Sequence, residues 1–230
     1  AQNSTGFGGS SSASSSISPA LGRGIFAGGR SNVRENTIDY VSIASTGNAT
    51  DFGDLTVGRQ LSSQLMSSST RGVFAGGNGT SVTYVDTIDY ITIASTGNAT
   101  DFGNLSTVTH TATAVASQYR GACGGGYSPS PVLYTDVIEY VTIATIGNGT
   151  DFGDLSASRI SLAGTSSPTR GVFAGGDTPG DLVDIMEYVT IGSTGNVTDF
   201  GNLAAATTNV GSVNSSTRAV FGGGRTPTEL

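Results

Sequence analysis

Arginine precedes a glycine-rich strand at Arg23, Arg71, Arg120, Arg170 and Arg218, and an acid followed by tyrosine recurs at Asp39, Asp89, Glu139 and Glu187. Guanidinium and carboxylate recurring together predict one ion pair per copy, fixing the register between neighbouring strands. These couples are poor candidates for acid–base catalysis. A repeated site rarely needs so many, and no nucleophile stands beside them.

Other residues with chemical potential are weaker candidates. Asp51, Asp101, Asp151 and Asp199 recur in a T-D-F-G motif, with Asp54 and Asp154 three residues on. Clustered oxygens suit Ca²⁺, but the spacing matches no EF-hand loop and Asn104 and Asn202 dilute the charge, so a turn or strand-end role is expected. Phe52, Phe102, Phe152 and Phe200 in the same motif read as core, each buried ring contributing about 2 kcal/mol. The doubled glycines lack the lysine and following helix of a phosphate loop. His110 is the single histidine, so neither a catalytic triad nor a histidine-rich metal site can be built, and no metal or cofactor is expected. Cys123 is the single cysteine, which excludes an internal disulfide. Eight N-x-S/T sequons occur, four of them at one recurring asparagine (Asn48, Asn98, Asn148, Asn196), where turn chemistry is the first explanation.

The elements that carry these residues form a tandem repeat. RGIFAGG, RGVFAGG, RGACGGG, RGVFAGG and RAVFGGG follow one another at spacings of 48, 49, 50 and 48 residues. After each of the first four comes a second block, of which TIDYITIASTGNATDFGNL from Thr87 is representative. Each copy reads as four strands: a Ser/Thr/Ala-rich stretch such as residues 60–69, the GVFAGG strand, the TIDYITIAS strand, and NATDFGNL. Ser-Thr-Gly-Asn joins the last two as a hairpin. Ile88 and Tyr90 point to one face of the third strand, with Ile91 and Ile93 on the other, so the sheet is expected to be buried on both faces. Residues 3–9 match the fourth strand, which predicts blades at about 10–56, 57–105, 106–154 and 155–203, and a fifth at 204–230 completed by 1–9.

Composition agrees with an all-β chain. Among 230 residues 35 are glycine, charged residues make up 12%, and Ile, Val, Tyr and Phe are spaced too regularly for disorder. A net charge of −7, with all ten basic residues arginine, argues against nucleic acid or an anionic membrane as partner. No apolar run reaches the roughly 18 residues of a membrane span, and no charged-then-apolar leader is evident. The segments between the glycine pair and the third strand vary in length and content. They hold Arg30, Arg34, Tyr84, Tyr127 and Tyr134, residue types that anchor binding surfaces.

The order of an arginine, a strand ending in Gly-Gly, a strand with Asp/Glu-Tyr and a later aromatic resembles the kelch repeat across essentially the whole chain. Two departures stand out: Phe takes the place of the kelch Trp, and the Tyr90-to-Phe102 interval is wider than in kelch blades. The resemblance implies a five-bladed kelch-like β-propeller of four-stranded antiparallel blades, its ring closed by an N-terminal strand. TIDYVSIASTGNATDFGDL with RGVFAGG is also similar to the repeats of virion structural or tail-fibre-like proteins of marine bacteriophages, particularly of cyanobacterial hosts. That similarity implies a non-enzymatic, virion-associated extracellular module recognising a host-surface glycan or protein, or another virion component, with homo-oligomerisation left open. A lectin-like propeller of cellular origin and a glycan-active propeller enzyme are the alternatives.

Overall fold

The computed structural model describes residues 22–60, 65–79, 84–128 and 134–227. It is all-β, with no helix among the described residues. The strands fall into five sheets in chain order. The first holds β1 (Arg23–Arg30), β2 (Arg34–Ser42) and β3 (Thr50–Asp54). The second holds β4 (Arg59–Gln60), β5 (Leu65–Ser67), β6 (Arg71–Gly79), β7 (Tyr84–Thr92) and β8 (Thr100–Asn104). The third is β9 (Thr113–Ala116), β10 (Arg120–Gly124), β11 (Val137–Thr142) and β12 (Thr150–Asp154). The fourth is β13 (Ala163–Ser166), β14 (Arg170–Ala174), β15 (Ile185–Thr190) and β16 (Thr198–Asn202), and the fifth is β17 (Gly211–Asn214) with β18 (Ala219–Gly222). Every pairing is antiparallel and, apart from β4 with β6, joins strands consecutive in the chain, as tight local connections allow.

The four strands expected per copy are thus present in the third and fourth sheets. The serine-rich connection between the first two has a local cause. Ser68, Ser117, Ser167 and Ser215 each accept the amide of the arginine three residues on, at 3.0 or 3.1 Å, closing the turn that launches the second strand.

Burial on both faces follows from stacking, and the core is divided by junction. Ile38, Phe52 and Leu55 of the first repeat meet Phe74 and Ile91 of the second. Ile88 and Phe102 lie in the next cluster with Val141 and Ile143, and Ile138 and Phe152 in the one after with Phe173, Val189 and Ile191. Phe52, Phe102 and Phe152 are each 2% exposed, whereas Phe200, after which the described residues hold only the first two strands of a further repeat, is 51% exposed.

Backbone hydrogen bonds also cross each junction. The amides of Gly97, Gly147 and Gly195 donate to the carbonyls of Phe52, Phe102 and Phe152 at 2.7 to 2.8 Å. The side-chain oxygens of Asn98, Asn148 and Asn196 accept the amides of Asp54, Asn104 and Asp154 at 3.1 Å. The recurring asparagine therefore holds the preceding repeat's outer strand, a longer-range role than the turn expected of it. So close an approach requires glycine: a Cβ on Gly153, at φ 142°, would stand 2.5 Å from the backbone of Gly195.

First strands follow one another, β5 against β9, β9 against β13 and β13 against β17. No comparably extensive contact joins the last sheet to the first, so no closed ring is present among the described residues. The expected closing strand, residues 1–9, lies outside them.

Candidate functional site

The repeated arginine and acid do not pair with each other. Register places Arg71 opposite Thr92 and Asp89 opposite Phe74, three residues apart along the strand, and the other copies repeat this offset. Arg23, Arg71, Arg120 and Arg170 lie instead over the rings of Tyr40, Tyr90, Tyr140 and Tyr188, at 4.1 to 4.6 Å from the ring centroids. Arg23, Arg71 and Arg120 also donate to the carbonyls of Ile93, Ile143 and Ile191, each just past the third strand of the following repeat. Arg218 is exposed, in the connection just before β18. The acids find other partners. Asp89 pairs with Arg59 at 2.9 Å and Glu187 with Arg159, both inside the fold, and Glu139 accepts the amide of Ser106 at 2.9 Å. Asp39, half-buried, faces Phe26 and Asp51 across the sheet. The pairing expected from recurrence is thus corrected by register, which sends the two side chains to different partners.

The variable loops give a different result. Tyr84 opens β7, Tyr127 follows the glycine run of the third repeat, and Tyr134 precedes β11; the structure gathers them with His110. Ring centroids are 5.3 Å apart for Tyr84 and Tyr127, 5.6 Å for Tyr84 and His110, and 6.4 Å for Tyr127 and Tyr134. The backbone holds this arrangement. His110 and Tyr127 exchange hydrogen bonds at 3.0 and 2.6 Å, and Tyr127 also bridges to Tyr134. Thr111, at φ 61°, turns the chain directly after His110, and its hydroxyl donates to the His110 carbonyl at 2.6 Å. All four rings are half-buried, which leaves aromatic surface accessible at the rim.

Arg34 adjoins the cluster. Its Nε donates to the Asn78 carbonyl at 3.2 Å, tying the first repeat's loop to the second. Burial, and secondarily the Arg34 charge, push the His110 imidazole below its usual range, so it is neutral at neutral pH. Its Nε2 is buried and has no hydrogen-bond partner among the described residues. Arg30 is exposed, at the end of β1 opposite Arg34. Of the five loop residues expected to contact a ligand, the three tyrosines are brought together, Arg34 lies close by, and exposed Arg30 faces Arg34 across the β1–β2 pair.

Sequence reasoning passed over two residues. His110 replaces Gln60, Ile160 and Thr208 of the other copies, and Tyr119, 80% exposed, replaces Thr70, Thr169 and Thr217. Departure from the repeat was the available signal in both cases. Tyr119 lines a shallow groove of about 280 Å³ with Ser117, Arg120, Pro168, Thr169 and Thr190.

Among the described residues no three of His, Cys, Asp and Glu converge as metal ligands. Asp51, Asp101, Asp151 and Asp199 face solvent on the outer strands. Burial, with the nearby charge of Glu139, pushes the Cys123 thiol up to about 12, so it is not a thiolate at neutral pH. No protein-family model matches the chain, and no curated protein matches its sequence.

Proposed function

We propose that the chain is a non-enzymatic binding module of a bacteriophage virion, recognising a host-surface glycan through the rim formed by Tyr84, His110, Tyr127 and Tyr134. The observation that supports recognition is the contiguous run of four half-buried rings beside Arg34. Aromatic faces stack on the apolar faces of sugars, Tyr hydroxyls offer hydrogen bonds, and a neutral imidazole can donate or accept. The virion setting is supported by the repeat phrases alone. In this reading the sheets are blades of a five-bladed kelch-like propeller, the fifth built from residues 204–230 with 1–9. The succession β5, β9, β13, β17 suits inner strands around an axis.

The aromatic run belongs to the second and third repeats, so one site per chain is expected, not one per blade. A glycan array and whole host cells, followed by calorimetry, test this. Saturable binding of one glycan per chain, weakened by Tyr127→Ala, supports the reading. Folded protein that binds neither glycans nor cells rejects it, and binding to cells stripped of surface glycan would assign a protein receptor instead.

A further inference from the structure

Arg59 and Arg159 occupy equivalent places, eight residues after Asp51 and Asp151; the corresponding residue of the third repeat is Thr109. Arg159 shows what that place is built to hold. Its guanidinium donates to the carbonyls of Gly175 and Ile185 at 3.1 and 3.3 Å and pairs with Glu187. The third repeat keeps the same acceptors as Gly125, Val137 and Glu139. Together with Thr109 and Cys123 they line a cavity of about 10 Å³, room for one body the size of a water molecule.

Two substitutions open this space together. Thr109 stands for arginine and Cys123 for Phe74 and Phe173, while the acid is retained. Glu139 is 7% exposed, and its two oxygens accept the Ser106 amide at 2.9 and 3.3 Å. Among the described residues, which include all ten arginines, none forms an ion pair with it. A buried carboxylate without a cation is costly, and two of its sister sites satisfy that charge with a guanidinium.

We propose that the third repeat binds a compact monovalent cation of ammonium or potassium size, held by the Glu139 carboxylate and the carbonyl oxygens of Gly125 and Val137. One carboxylate with neutral oxygens matches a single positive charge and leaves a divalent cation under-neutralised, and a cavity of about 10 Å³ excludes larger organic cations.

Thermal unfolding in ammonium, potassium and choline chlorides at equal ionic strength tests the proposal. Ammonium or potassium should raise Tm by about 5 °C over choline once it is roughly a hundredfold above its dissociation constant. Glu139→Gln should lose that difference, and Thr109→Arg should lose it while unfolding at or above the wild-type temperature in choline. Equal Tm values in all three salts for the wild-type protein, or the same salt effect in wild type and Glu139→Gln, would overturn the proposal. The wild-type comparison decides the matter even if a variant fails to fold. Ammonium and potassium are told apart by which of the two produces the shift.

Discussion

The guanidinium of Arg59 meets the carboxylate of Asp89 at 2.9 Å, and neither side chain reaches solvent. Asp89 also accepts the hydroxyl and amide of Thr56 at 2.6 and 3.3 Å, so one carboxylate ties the second sheet to the segment leaving the first. Arg59→Met is expected to cost about 3–5 kcal/mol, because it strands a buried charge. Adding Asp89→Leu should recover part of that loss. Urea denaturation midpoints of the two variants check both statements.

Gly153 and Gly201 occupy the same repeat position with positive φ, but only Gly153 has another repeat's backbone against it. Gly201→Ala is expected to cost about 1 kcal/mol, the price of the conformation alone. Gly153→Ala must also displace Gly195 and should cost several times as much, or abolish folding. Equal melting temperatures for the two variants would show that the junction yields without penalty.

Protonation of His110 opposes folding. Because its folded pKa lies below its unfolded value, the unfolded chain binds the extra proton first, so this contribution is complete above about pH 6.5. It is lost as pH falls from there through the lowered folded pKa. Denaturation midpoints at pH 7.5 and 5.5 should therefore differ more for wild type than for His110→Gln. The same descent in pH should weaken ligand binding at the rim.

Tyr84 touches both His110 and Tyr127, so Tyr84→Ala removes the middle of the aromatic run. It should reduce glycan affinity by about tenfold or more, with the melting temperature changed by only a few degrees. Tyr119→Ala, on a groove lined by other residues, should leave that affinity unchanged. A reversed ranking would move the site to the Tyr119 groove.

Strands and hairpins were legible because each copy repeats the same alternation and the same turn residues. Ile88 and Ile91 were correctly assigned to opposite buried faces, and they fall in different core clusters. Partner choice was not legible. Recurrence groups Arg71 with Asp89 in four copies, but three residues of offset send one to Tyr90 and the other to Arg59. Arg59 escaped notice because only one other copy, at Arg159, keeps it. The rim tyrosines were identified from loop variability, whereas His110 was set aside as an isolated histidine. Its position depends on a turn at Thr111 with positive φ, for which threonine gives no sequence signal.

Junction packing makes near-identical phrases unequal in consequence. The motif T-D-F-G places its phenylalanine in a sealed interface at Phe52, Phe102 and Phe152 and at an open face at Phe200. First strands show the same gradient, from β9 and β13, buried throughout, to β17, half in solvent. Selection acting on such a chain therefore sees different constraints on identical words. Copies whose phenylalanine is sealed can drift least there, whereas the copy that holds Phe200 carries no such constraint among the described residues, so divergence should appear there first.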